Sequence, residues 1–424
     1  MLQVLSSAWA LLLGVGLLML GNGLQGTLLG LRGDIEGFST PLMSVIMAAY
    51  FGGLLVGSYF VPAVIRRVGH VRVFAAFASL ISAVMILYPA IAHPIPWILG
   101  RFVVGFCFSG VYVTAESWLN DAADNENRGK ALSLYLIVMT LGLAASQVFI
   151  LIGEPSGYLP FVIASIAVSI SFAPILLSIS PVPAFERSKP MEIRELFKIS
   201  PLGCVGQFLM GGIFAAQFGM ASVYATSAGL PLTQVWIFTG SFYVGALVLQ
   251  FPIGWLSDRM ERRLLITFVA GISCAASLMA AFLGGNFNLL IAASFLIGGL
   301  VNPLYGLLLA HANDYLDHED MASAAGSLLF LNGCGAVAGP LIIGWVMSDN
   351  MLGSPGFFLF MATLLGLLAL YAVYRATQRS AIPAAETGIT PMVAPTATTV
   401  AAEWAQEYVI ETELEEQEAE SAQG

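Results

Sequence analysis

The sequence predicts an all-α integral membrane protein: twelve transmembrane helices in two pseudo-symmetric six-helix bundles. Three observations carry that prediction. The 424-residue chain is 58% hydrophobic and 10% charged, with a mean hydropathy of +0.85, whereas soluble domains carry about 25% charged residues. Its apolar residues fall in uninterrupted runs long enough to cross hydrocarbon. The Lys and Arg residues, apart from Arg32 and Arg101, collect in the gaps that twelve spans would place on one side.

A helical span needs about twenty apolar residues. Such runs occur at 9–31, 41–65, 72–92, 97–119, 130–152, 158–180, 202–227, 233–256, 264–284, 288–312, 322–347 and 355–376. Unsatisfied backbone groups cost several kcal/mol each in lipid, so continuous runs of this length predict helices. Strands of a barrel would instead alternate over about ten residues.

Arg66, Arg67 and Arg72 lie between spans two and three, Arg128 and Lys130 between four and five, and Arg187, Lys189, Arg194 and Lys198 between six and seven. Arg259, Arg262 and Arg263 follow span eight, and Arg375 and Arg379 follow span twelve. The positive-inside rule makes these loops cytoplasmic and puts both termini inside a multi-pass protein of the cytoplasmic membrane. The N-terminus lacks the basic region and small-residue cleavage site of a signal peptide, so residues 1–40 read as mature structure. Cys107, Cys204, Cys274 and Cys334 all fall within spans, without metal-ligand spacing, and read as small core residues.

An internal repeat organises the chain. At an offset of 193 (305 − 112), Tyr112, Asn120, Asp121, Asp124 and Glu126 fall on Tyr305, Asn313, Asp314, Asp317 and Glu319, and Gly105 falls on Gly298. The same shift sets Tyr50 on Tyr243 and Gly52 on Gly245. The expected domains are therefore a bundle over 1–180, a cytoplasmic linker over 181–201, a second bundle over 202–376 and an acidic disordered tail over 377–424, which carries ETELEEQEAE at 411–420. The linker carries a short amphipathic pattern around Ile193, Leu196 and Phe197.

After span eight the chain reads Gly254-Trp255-Leu256-Ser257-Asp258-Arg259-Met260-Glu261-Arg262-Arg263. This resembles the loop signature of the major facilitator superfamily. A carboxylate at a helix end bonds the positive N-terminus of a neighbouring helix, and arginines pair with acids on adjacent helices. Asp258, Arg259, Arg262 and Arg263 are thus the expected cytoplasmic gate. Arg66 and Arg67 stand at the equivalent place of the first half, which lacks the Asp; Asp121 is their prospective partner across the loop, and Asp314 that of Arg259 or Arg262.

Gly100-Arg101-Phe102-Val103-Val104-Gly105 looks like the superfamily's Arg-x-x-x-Gly pattern in span four. The resemblance implies a proton-coupling role for Arg101; the alternative is an interface anchor that snorkels to water. Glu116 lies fifteen residues further along the same helix, about 22 Å away at 1.5 Å per residue. It is either the acid of a proton pathway or a partner of Arg128 or Lys130. Gly333-Cys334-Gly335 and Gly339-Pro340 in span eleven predict close helix approach. The superfamily lines its passage mainly with spans one, four, seven and ten. That implies a cavity bounded by Asn22, Gln25, Tyr112, Gln217, Asn302 and Tyr305, with Gln147, Tyr243 and Asn332 on neighbouring helices.

The expected function is secondary transport of a small neutral or weakly charged organic solute by alternating access, coupled to protons. A strongly anionic solute would find no Lys in the interior of any span. The rival is a ligand sensor that signals through its tail without turnover. There is no nucleotide-binding loop, metal-ligand cluster or Ser-His-Asp arrangement, so neither an enzyme nor a cofactor is expected, and nothing points to nucleic acid. One chain holds both halves of the passage, which predicts a monomer.

Overall fold

The computed structural model describes residues 2–121, 128–174 and 190–378, together with Thr398, Val400, Ala401 and Ala405; the side chains of residues 2–7, Asp121, Arg128 and His318 are excepted. Helices α1 (Leu2–Ile35), α2 (Thr40–Val68), α3 (His70–Ala90), α4 (Pro94–Asp121), α5 (Arg128–Phe149) and α6 (Leu159–Ser171) form the first half. After a seven-residue helix, α7 (Ile193–Ile199), the second half follows. It comprises α8 (Pro201–Ser227), α9 (Leu232–Ser257), α10 (Arg262–Leu283), α11 (Phe287–Asn313), α12 (His318–Val346) and α13 (Gly356–Gln378).

Among the described residues, eleven helices are long and apolar enough to cross a membrane. The exception is α6, where the apolar run predicted over 158–180 extends past the described residues. The remaining boundaries lie within a few residues of the runs read from sequence. Local chemistry explains several of them. Pro41 and Pro201 open α2 and α8, where a missing N–H leaves no bond unmade. Gly69, at φ 92°, makes the reversal between α2 and α3 that a side chain would hinder. The Asn286 side chain caps α11 by accepting from Asn288 N at 3.0 Å.

The two halves pack by one plan. In the first, α2 lies on α4, α1 on α5 and α6, and α3 on α4 and α6; in the second, α9 lies on α11, α8 on α12 and α13, and α10 on α11 and α13. Between the halves, α1 meets α8, α2 meets α12, and α5 meets α9. These cross-contacts exchange under the repeat.

Glycine makes the closest crossings possible. A Cβ on Gly105 would fall 1.9 Å from Tyr50 O, and one on Gly298 would fall 2.1 Å from Phe242 O. Gly53 and Gly245 likewise meet the Phe102 and Phe295 carbonyls, each at 2.0 Å. The contacts thus align α4 with α11 at 193 (298 − 105) but α2 with α9 at 192 (245 − 53). One residue separates the second helices from the single sequence offset, because only the backbone crossing, not the aromatic identity, fixes their register. In α12 the predicted small residues divide their work. Gly335 and Gly339 lie against Phe208 O and Gly212 of α8, while Gly333 and Gly344 face Leu55 and Ser44 of α2 across the interface.

The linker helix α7 buries Leu196 completely and leaves Ile193 and Phe197 about half exposed. Its lead-in is strapped to α12: Met191 N donates to Ser323 O at 3.0 Å, and the Ser327 hydroxyl donates to Met191 O at 2.5 Å. The rest of the expected linker, 181–189, and most of the expected tail lie outside the described residues.

Candidate functional site

The face carrying Arg66, Arg67 and Arg259 is called here the basic face. On α4, Arg101 and Glu116 stand near opposite ends, and both are fully buried.

Arg101 turns into the first bundle. Its Nη1 donates to Gln25 Oε1 at 3.4 Å, and its guanidinium lies 4.6 Å from the centre of the Tyr50 ring. Nε and Nη2 have no hydrogen-bond partner among the described residues. A snorkelling anchor would hold its head in water; complete burial removes that alternative. Beside it, Asn22 Nδ2 donates to Tyr50 OH at 3.2 Å and Tyr112 OH at 3.5 Å, joining α1, α2 and α4.

Glu116 accepts from Tyr135 OH at 3.2 Å and from Thr398, whose N–H lies 3.1 Å from Oε2 and whose hydroxyl donates to the same oxygen. All three of these donors are neutral. Pairing of Glu116 with Arg128 lies outside the described side chains.

The two halves meet through aromatic rings. Phe214 stacks on Phe218 at 5.6 Å, Phe218 on Tyr50 at 6.2 Å, and Phe51 stands edge-on to both phenylalanines. Tyr243 reaches Phe218 at 6.5 Å. Gln217 projects from a π turn, Ala216–Met220, that interrupts α8; it is buried, and its Oε1 has no hydrogen-bond partner among the described residues. Such turns place side chains off the regular helical register and recur at functional sites. A small pocket of about 40 Å³ lies at this interface, bounded by Phe51, Tyr112, Phe214, Asn332 and Thr398. A larger cavity of about 520 Å³ opens between the basic-face halves of α2 and α12, walled by Leu55, Tyr59, Phe330, Met191 and again Thr398.

Several expected cavity residues use their amides in helix contacts, Asn332 among them although it also borders the small pocket. Asn302 Nδ2 donates to Gly298 O of its own helix at 2.8 Å. Asn332 Nδ2 donates to Gln207 O at 3.1 Å, and Gln207 Nε2 to the Tyr305 carbonyl at 3.0 Å, so α8, α11 and α12 are tied within one bundle. Gln147 joins the bundles: its Oε1 accepts from Thr27 at 3.0 Å and from Thr239 at 2.7 Å. Nearby, Gly30 lies against Ser222, and both contacts sit in the half opposite the basic face. Interhelical bonds in membranes average about 0.6 kcal/mol, and of the two only Gln147–Thr239 crosses between the halves, so losing it shifts a two-state balance about threefold. Gln147→Leu is therefore expected to speed labelling of a cysteine placed at Ser222 severalfold when an impermeant maleimide is added from that face. An unchanged rate would show that the bond does not hold the halves together.

At the basic face, Arg262 and Asp314 form a buried ion pair between α10 and α11. It lies within the second bundle, so it braces that bundle and does not latch the two halves across the passage. Arg263 Nε pairs with Glu261 at 3.1 Å, and its Nη1 donates to Arg375 O at 3.1 Å. Among the described residues Arg259 forms no ion pair with an acid: it stacks on Trp255 at 4.2 Å and donates to the Trp255 carbonyl. Desolvation raises the Asp258 carboxyl above its ordinary value, with Arg262 and Arg259 pulling it back. Arg66 and Arg67 are exposed, and Asp121, their prospective partner, lies outside the described side chains. On the opposite face Arg32 pairs with Glu36 at 2.6 Å and reaches the carbonyls of Pro155 and Ser156.

Sequence reasoning missed Phe51, Phe214 and Phe218, because it searched the passage for polar groups. The spacing of Phe214 and Phe218, one helical turn apart, was the available signal. Nothing in the tail's composition marked Thr398.

The Major Facilitator Superfamily description matches residues 11–239 and 203–407. An uncharacterized MFS-type transporter, YcaD of Escherichia coli O81 (strain ED1a), is 26% identical over 352 residues, 81% of this chain and 90% of that protein. A second MFS-type transporter, Ent638_1421 of Enterobacter sp. (strain 638), is 25% identical over the same length. Among solved structures, the nucleoside transporter NupG superimposes with a TM-score of 0.70 at 15% identity, covering 88% of this chain and 98% of NupG. The fucose:proton symporter FucP of E. coli superimposes at 0.56 and 17%, covering 86% and 98%. With a family match spanning both halves and the repeated six-helix plan in hand, the chain belongs to the Major Facilitator Superfamily and is a multi-pass membrane transporter of that family.

Proposed function

We propose that this chain moves a small neutral or weakly charged organic solute across a bacterial cytoplasmic membrane by alternating access, coupled to protons, as a monomer with both termini in the cytoplasm. The observation that carries the reading is the lining between the bundles: Tyr50, Phe51, Tyr112, Phe214, Phe218 and Gln217 offer ring faces and amide or hydroxyl groups. That surface suits a solute with an apolar or ring-like body and a few hydrogen-bonding groups. The half opposite the basic face is held by Gln147–Thr239 and Gly30–Ser222, while the cavities open toward the basic face, an arrangement that supports a passage accessible from one side at a time. Arg101 and Glu116 are buried ionisable groups on one helix of that passage, and such groups within a membrane commonly mark proton or ion routes.

The test uses purified protein in liposomes with an internal pH dye and a panel of sugars, nucleosides, amino acids and amphipathic drugs. Solute-driven proton movement is expected in the wild type and is expected to fall to background in Glu116→Gln or Arg101→Ala. Solute flux without proton movement in any variant would end the coupling assignment. Tighter binding of a phosphorylated solute than of its neutral parent would overturn the substrate class. The contact between Thr398 and Glu116 also favours a second reading, a ligand sensor that signals through its tail; ligand binding with no flux under any gradient would select it.

A further inference from the structure

Thr398 belongs to the tail, 282 residues from Glu116 in the chain, yet it supplies two of the hydrogen bonds that satisfy this fully buried carboxylate. The same residue borders both the small interface pocket and the larger cavity at the basic face. Its hydroxyl also accepts from Val400 N at 3.2 Å, which starts a helical stretch at Val400 and Ala401. Ala401 and Ala405 are buried almost completely, and both join the hydrophobic core with Val400. A solvated tail would show neither feature. The seat is specific at one end, through paired donors on a carboxylate, and apolar along the rest.

We propose that the segment carrying Thr398, Val400, Ala401 and Ala405 is an intramolecular plug, which occupies the passage between the bundles and withholds Glu116 until it withdraws. The inference rests on the transport reading for its consequence, since a plug regulates flux only if there is flux. Its physical basis is separate. A buried carboxylate is unfavourable without donors, so when the segment leaves, Glu116 must take donors from water, a proton or a solute. The occupant that replaces Thr398 is therefore expected to offer an N–H or O–H group, and the tail competes with it. A tethered segment competes at an effective concentration of about millimolar, which even a weak contact can exploit.

The experiment replaces Cys107, Cys204, Cys274 and Cys334 by Ala, introduces a cysteine at Ser58, which lines both cavities beside Thr398, and measures labelling by an impermeant maleimide applied from the basic face. Removing residues 379–424 is expected to raise the rate about tenfold, the change for a seat occupied nine-tenths of the time. Thr398→Val keeps the side-chain volume, removes the hydroxyl donor and is expected to raise the rate by a smaller factor; it also serves where the truncated chain does not fold. A synthetic peptide of residues 394–410 at about millimolar concentration is expected to restore protection to the truncated protein. It is expected to protect less when Glu116→Gln is also present. A labelling rate indifferent to truncation and to Thr398→Val, in folded protein, would overturn the plug. Unchanged labelling with solute flux intact would remove the plug and leave transport standing. Raised labelling with no flux for any solute would keep the plug and remove the transport reading.

Discussion

Arg262→Ala is expected to destabilise the protein by about 3–5 kcal/mol, the usual effect of removing one partner of a buried ion pair. The Arg262 and Asp314 side chains are 3% and 8% exposed, and Arg262 Nη1 also donates to Ala310 O at 3.4 Å. Truncating Arg262 takes the cation away from the Asp314 carboxylate where water reaches it poorly. The large figure is therefore mostly the penalty of that lost charge compensation and not the worth of the pair. Replacing both residues, Arg262→Met with Asp314→Leu, is expected to recover much of the loss, because an apolar pair of similar volume needs no desolvated charge. Thermal unfolding of the purified single and double variants, followed by monodispersity in detergent, gives the comparison. Additive losses in the double variant would mean that the two side chains act independently and that the bundle is braced elsewhere.

Gly105→Ala and Gly298→Ala are expected to be among the most damaging small substitutions in the helix cores. Their new methyl groups would stand 1.9 Å from Tyr50 O and 2.1 Å from Phe242 O. A backbone carbonyl inside a helix has no rotamer to escape into, so the crossing itself must widen. Overpacking commonly costs about 1–3 kcal/mol and more where neighbours cannot yield. Gly271→Ala on α10 is the control, since nothing lies within 4 Å of its prospective Cβ. There the loss of backbone freedom in the unfolded chain makes alanine better by about 0.5–1 kcal/mol. Folded yield and thermal midpoint should drop in the first two variants and hold or rise in the third. Equal behaviour of all three would show that the helices do not cross at these glycines.

Much of the fold was legible because hydrocarbon admits few solutions. Apolar runs near twenty residues must become helices, and the observed helices follow those runs closely. The repeat was legible through Gly105 and Gly298, whose identity follows from a steric demand that both halves share. The site was less legible. Gln25, Arg101, Asn22 and Tyr112 were nameable from sequence, and the structure brings them together with Tyr50. Asn302 and Asn332 looked equivalent to these in sequence, yet their amides bond Gly298 O and Gln207. An amide within a span must bond something, and sequence cannot say whether the partner is helix, bundle mate or solute.

What the sequence alone determined is the set of spans, the basic face, the repeat and the family signature after span eight, since each depends on composition or spacing along one helix. Tertiary structure decided everything that depends on rotation about the helix axes and on distant segments meeting. It turned Arg101 inward, placed the Arg262–Asp314 pair within one bundle, set Phe51, Phe214 and Phe218 between the halves, and brought Thr398 to Glu116. The physical reason is that hydrophobic length fixes that a segment crosses the membrane, whereas close packing around glycine crossings and buried polar groups fixes which face it presents.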